Sequence, residues 1–177
     1  MNICVFCGSS LGDNPIFRTS AEALGNALAK AGFTLVYGGG NIGLMGILAD
    51  AVLRGNGQVI GIIPDFLMRR EVGHAAITRL EIVHTMHERK SRMAEISDAF
   101  VAMPGGWGTL DEFAEILTWT QLRLISKPVF LMNTGNFFDH LLQQMKTMVA
   151  NGFLHEENYA TITTVDSPEE LILRLKS

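Results

Sequence analysis

The sequence predicts a doubly wound α/β fold, a Rossmann-like parallel sheet with helices on both faces, in a single domain spanning residues 1–177. Three observations carry this. Short apolar runs rich in β-branched residues alternate with helix-period segments along the chain. These runs are continuously hydrophobic rather than alternating, as in strands buried on both faces. Glycine-rich loops follow three of them, at the strand ends that border the ligand crevice in such a sheet.

Taken in order, the first strand is Ile3–Cys7. The helix after it covers Asn14–Ala31, where Ile16, Ala21, Leu24, Leu28 and Ala31 form one apolar stripe and Gly32 stops the run. Thr34–Tyr37 is the second strand and Gly43–Arg54 its helix. Val59–Ile63 and Leu80–His84 are the next two strands. Between them lies Pro64–Thr78, the least regular stretch, charged at Asp65, Arg69, Arg70 and Glu71 and bearing His74; it reads as a lid or an interface arm. A helix over His87–Ser97, a strand over Ala99–Met103, a helix over Thr109–Leu124, a strand over Val129–Met132 and a helix over Phe137–Asn151 follow. Ser167 and Pro168 open a last helix as N-cap and first-turn proline. Six strands are expected in all.

Composition narrows the function. A chain of 177 residues, 47% of them hydrophobic, fills a core but leaves no room for a dinucleotide domain plus a separate substrate domain. Fourteen Lys and Arg against eighteen Asp and Glu give a net charge of −4, so a nucleic-acid partner is not expected. No apolar run is long enough to span a membrane, and the start lacks the basic region and cleavage site of a signal peptide. A cytoplasmic protein is expected. Cys4 and Cys7 resemble a redox C-x-x-C, but residues three apart on a strand face opposite ways, so two reduced thiols are expected instead.

The loops are Gly8-Ser9-Ser10, Gly38-Gly39-Gly40-Asn41-Ile42-Gly43 and Pro104-Gly105-Gly106-Trp107-Gly108-Thr109. Glycine lets backbone N–H groups converge, and a following helix adds its unpaired donors and positive dipole end, which together suit a phosphate. Thr109 is expected as N-cap or first-turn residue with its hydroxyl on that phosphate. Trp107, inside a loop, is placed to stack on or border a base. Gly38, Gly40 and Gly43 also fit the dinucleotide pattern G-x-G-x-x-G, with Asp65 standing 22 residues after Gly43. That match falls in the second βα unit rather than the first. No G-K-[ST] follows any of the loops, which excludes a Walker phosphate loop.

Helix periodicity places Glu112 about one turn from the expected phosphate, near Thr109 and Glu115. Like charges repel, so an acid there is explained by cationic charge developing on a substrate, as at the anomeric carbon of a ribose losing its base. Arg89 and Lys90 put two cations at a helix start, where the dipole disfavours them, and phosphate or Glu112 would account for them. His84 and His87 lack a third ligand at a metal-binding spacing, so no metal is expected.

At Pro104-Gly105-Gly106-Trp107-Gly108-Thr109-Leu110-Asp111-Glu112 the sequence resembles the P-G-G-x-G-T-x-x-E signature of the Lonely Guy (LOG) family of cytokinin-activating phosphoribohydrolases, often labelled lysine decarboxylases. The likeness continues through Cys7–Ser10, Tyr37–Gly46, Met86–Lys90 with Met93, Trp119–Leu122 and Lys127-Pro128. It implies a Rossmann-like homodimer that hydrolyses the N-glycosidic bond of AMP and N6-modified adenine nucleotides without a cofactor. By the resemblance Arg89 and Glu112 are catalytic. Gly8, Ser9, Gly39, Gly40, Gly43, Met86, Lys90, Gly105, Gly106, Trp107, Gly108 and Thr109 are the expected substrate contacts, and Glu71 matches a family acidic position. The rival readings are a non-catalytic nucleotide or molybdopterin carrier and a dinucleotide-dependent oxidoreductase.

Overall fold

Among the described residues seven strands form one parallel sheet: β1 (Asn2–Phe6), β2 (Thr34–Tyr37), β3 (Val59–Pro64), β4 (Arg79–Val83), β5 (Ala99–Ala102), β6 (Val129–Met132) and β7 (Ile162–Val165). Their spatial order is β4-β3-β2-β1-β5-β6-β7. The computed structural model describes residues 1–68 and 73–177. The chain winds outward from β1 to β4, then crosses back to place β5 on the other side of β1 and continues to β7. That reversal opens a crevice at the carboxyl ends of β1 and β5, where an open α/β sheet takes its ligand. Phe6 pairs with Ala102 in register, so the loops that leave the two strands start side by side.

Among the described residues seven helices cover the sheet: α1 (Pro15–Ala31), α2 (Gly43–Arg54), α3 (Met86–Ile96), α4 (Trp107–Gln121), α5 (Asp139–Ala150), α6 (Glu156–Tyr159) and α7 (Pro168–Lys176). Strand side chains alternate between faces, and the core divides accordingly. Ile3, Val5, Leu35 and Tyr37 pack against Leu24 and Leu28 of α1, Leu48 and Val52 of α2, and Leu171 of α7. Cys4, Phe6, Val36 and Ile62 pack against Met93 of α3 and against Phe113 and Ile116 of α4. The two cysteines therefore point into opposite layers, as expected. Burial raises both thiols well above their ordinary range, with the negative charge of Glu112 adding to the effect, so they are protonated and chemically quiet.

The structure differs from the expected elements in places. Helix α4 begins at Trp107, two residues before the expected start, with Gly106 as its N-cap, so of the two placements expected for Thr109 the first turn is the one it takes. A seventh strand, β7, and the short α6 were not anticipated. Of Pro64–Thr78, residues 65–67 make one 3-10 turn, and the expectation for Glu71 lies outside the described residues. The far end of that segment is fastened to the second glycine loop. Gly73 bridges Gly40, the His74 N–H donates to the Gly39 carbonyl at 2.9 Å, and His74 Nε2 lies 3.0 Å from Asp50 Oδ1.

Candidate active site

The three glycine loops interlock at the crevice. Gly8 N–H donates to the Pro104 carbonyl at 3.1 Å, joining the first loop to the third, and Leu44 N–H donates to the Gly8 carbonyl at 3.0 Å, joining the second to the first. Gly43 has φ 60°, and a Cβ there would run into the backbone of Ser9 and Ser10. Replacing Gly43 with Ala therefore incurs both left-handed strain and a backbone clash. The expected cost is about 2–4 kcal/mol, which thermal melting reads as a fall of roughly 4–16 °C. Between the first and third loops lies a cleft of about 210 Å³, lined by Gly8, Ser9, Ser10, Leu11, Gly12, Phe17, Leu44, Pro104, Gly105, Gly106 and Phe137.

Not every glycine in these loops serves a ligand. A Cβ on Gly38 would occupy the place of the Arg89 guanidinium, and one on Gly39, at φ 78°, would press on Ile63 at 3.0 Å. Gly105 has no room for a side chain beside Thr109 and the Gly8 amide. Those glycines, like Gly43, are required by the protein itself. Gly106 and Gly108 differ: among the described residues a Cβ on either meets nothing within 4 Å, and neither has a positive φ. The space beside both is open, and Gly106, as the N-cap of α4, stands where glycine is favoured. The N–H groups of Trp107, Gly108 and Thr109 open α4, ahead of its first internal donor, Leu110, which bonds the Gly106 carbonyl. They make up the positive end of the helix dipole, an arrangement suited to an anion. Trp107 stands 88% exposed beside them.

One turn further along, Glu112 is 9% exposed and Arg89, on the first turn of α3, 5%. Arg89 Nη1 lies 3.7 Å from Glu112 Oε1. Its Nε donates to the Ile62 carbonyl at 3.1 Å and its Nη2 to the Gly38 carbonyl at 3.1 Å, while Nη1 also lies 3.8 Å from the Met86 sulfur. The guanidinium is thus pinned at the ends of β2 and β3, and its planar fork presents one edge to the carboxylate. Thr85 sets the start of α3. Its hydroxyl accepts from the Glu88 N–H at 3.1 Å, and the Glu88 carboxylate accepts from the His84 N–H at 2.8 Å. This capping box was legible as Thr85-x-x-Glu88 and escaped the sequence reading.

Lys90 lies with two carboxylates of α4, 3.1 Å from Asp111 Oδ2 and 3.0 Å from Glu115 Oε2, its side chain 12% exposed. Burial pulls the ammonium down, but hydrogen bonds and charge attraction from Glu115 and Asp111 outweigh it and raise its pKa. A Schiff-base lysine needs the opposite shift. Lys127 donates to the carbonyls of Ala94 and Glu95, and Lys30, Lys146 and Lys176 stand exposed outside the cleft. Lysine decarboxylation has no candidate lysine here. Among the described residues no three His, Cys, Asp or Glu side chains converge on a metal position, and His84 and His87 are exposed. Asp65, the acid that a dinucleotide ribose would need, is exposed and accepts from its neighbour's N–H at 2.6 Å.

A doubly wound parallel sheet with glycine loops meeting at its switch point places the protein in the Rossmann-like class. The family described as "possible lysine decarboxylase" matches residues 45–175. The chain is 44% identical over 174 residues to the cytokinin riboside 5′-monophosphate phosphoribohydrolase LOG of Oryza sativa subsp. japonica, covering 98% of this chain and 72% of that one. It is 43% identical over 174 residues to LOG1 of Arabidopsis thaliana, which bears the same enzyme name, covering 98% and 82%. The protein belongs to the LOG phosphoribohydrolase family. Its fold is shared with the molybdenum cofactor binding protein of the phototrophic bacterium Rippkaea orientalis, at a TM-score of 0.72 and 25% identity over 99% of this chain and 94% of that one.

Proposed function

We propose that the protein is an N-glycosyl hydrolase that cleaves AMP and N6-modified, cytokinin-type adenine ribonucleoside 5′-monophosphates to free base and ribose 5-phosphate. One observation carries the reading: a buried carboxylate, Glu112, sits one turn behind backbone donors suited to a phosphate. Dianion binding alone gives no reason for an acid there, because the two charges repel. Positive charge on the ribose ring, as its bond to the base breaks, gives that reason.

In this reading the amides of residues 107–109, the open positions Gly106 and Gly108, and the Thr109 hydroxyl hold the 5′-phosphate. The binding energy so gained fixes the ribose before reaction. Glu112 stabilises the oxocarbenium-like transition state and directs the attacking water. The C1′–N9 electron pair leaves with the purine, water oxygen bonds C1′, and the water's protons divide between the base and the new hydroxyl. Arg89 keeps the Glu112 carboxylate in place, its planar fork being shared between that carboxylate and the Ile62 and Gly38 carbonyls. Gly8, Ser9, Trp107 and Met86 border the ligand, with Gly39, Gly40, Gly43 and Gly105 shaping the loops around it. A cytoplasmic homodimer belongs to the same reading. Among the described residues no helix is long and apolar enough to cross a membrane.

Incubation with AMP and with isopentenyladenosine monophosphate, followed by chromatography of the bases, tests it. Adenine and isopentenyladenine are expected, each with an equivalent of ribose 5-phosphate. A carrier of the molybdopterin-binding kind would return both nucleotides intact, and that result would overturn the proposal.

A further inference from the structure

We infer that Lys90 is a positioning residue for the hydrolysis, acting through Asp111 and Glu115 to keep the Glu112 turn of α4 seated against α3. The inference rests on Glu112 being the catalytic carboxylate. Asp111 and Glu115 are four apart and share one side of α4, and Glu112 lies within the turn they bracket. The Lys90 ammonium reaches both, at 3.1 and 3.0 Å. Arg89, the preceding residue, takes Glu112 itself. Two consecutive cations from the first turn of α3 thus hold three acids on one turn of α4. Sliding or rotating α4 against α3 would break both grips together. The α3 end of the clamp is fixed by the Thr85–Glu88 cap.

The charges explain why the clamp bears on catalysis. Without Lys90, Asp111 and Glu115 are like charges at i and i+4, which destabilise a helix turn. The Glu112 carboxylate adds a third negative charge to that turn. Relief comes from moving the turn outward, away from Arg89. A phosphate arriving at Lys90 would have to compete with two carboxylates already in contact, so the side chain's leverage is on helix placement.

The test is a kinetic comparison of Lys90→Met, Lys90→Arg and the double variant Asp111→Asn/Glu115→Gln with AMP as substrate. Lys90→Met is expected to lower kcat roughly tenfold or more with KM little changed, the signature of a group acting on the transition state. Lys90→Arg, which retains both ion pairs, is expected to recover most of the loss. Adding Lys90→Met to the acid double variant is expected to cost far less than it does in the parent protein, because the clamp is already gone. A raised KM with unchanged kcat would make Lys90 a ligand contact and overturn the inference, as would strict additivity with the acid double variant. A crystal structure of Lys90→Met supplies a readout independent of turnover: Glu112 is expected to have left Arg89, and an undisturbed pair contradicts the clamp. Failure of the unaltered protein to release base from AMP would strike the functional reading and leave this structural result standing.

Discussion

Glu112→Gln is expected to reduce adenine release from AMP by about 10²–10³-fold or more in kcat, while nucleotide affinity stays within a few-fold. The substitution keeps the side chain's shape and removes its charge. If the carboxylate stabilises positive charge on the ribose only as the bond to the base breaks, its loss appears in kcat and not in ground-state binding. Binding can even tighten, since one repulsion with the phosphate dianion disappears. Steady-state kinetics paired with calorimetric titration of AMP separate the two effects. Weakened binding with an intact kcat would reassign Glu112 to substrate affinity.

Arg89→Met is expected to be damaging twice over. It removes the donors to the Ile62 and Gly38 carbonyls and leaves Glu112 buried without its cation. Breaking a buried ion pair from one side costs about 3–5 kcal/mol, which thermal melting of a chain this size reads as a fall of roughly 6–20 °C. Activity is expected to fall with it, because the displaced Glu112 carboxylate no longer addresses the sugar. Lysine in place of Arg89 is not expected to rescue either property, since one ammonium cannot serve two carbonyls and a carboxylate in the geometry of a planar fork. Gly38→Ala is expected to reproduce the defect, as its methyl would claim the guanidinium's space. Retained stability and kcat/KM in Arg89→Met would show that the pair is not part of the working site.

The sequence disclosed the parallel core because β1, β2, β3, β5 and β6 are apolar on both faces and leave an unbroken hydrophobic run. Strand β7 escaped for the converse reason. Ile162-Thr163-Thr164-Val165 lies at the sheet edge with only Val165 buried, so its signal is β-branching without continuous apolarity. At the site, the spacing from Thr109 to Glu112 was enough to bring acid and loop together, since one helix carries both. The glycines were harder to sort. Gly38 and Gly106 look alike in sequence, yet Gly38 makes space for an arginine 51 residues away and Gly106 has open space beside it among the described residues. Only tertiary packing separates them. The contacts of Lys90 with Asp111 and Glu115 were not legible, because those partners lie 21 and 25 residues on in the chain with no local pattern linking them. Arg89 was the more legible of the two cations, Glu112 having been among the partners anticipated for it.

The most direct test of the phosphate-and-carboxylate arrangement is a crystal structure of the Glu112→Gln protein with AMP. The phosphate is expected on the N–H groups of residues 107–109 with the Thr109 hydroxyl beside it, and the substituted side chain at position 112 within contact distance of C1′. A phosphate bound elsewhere, or a ribose whose C1′ points away from position 112, would contradict the account.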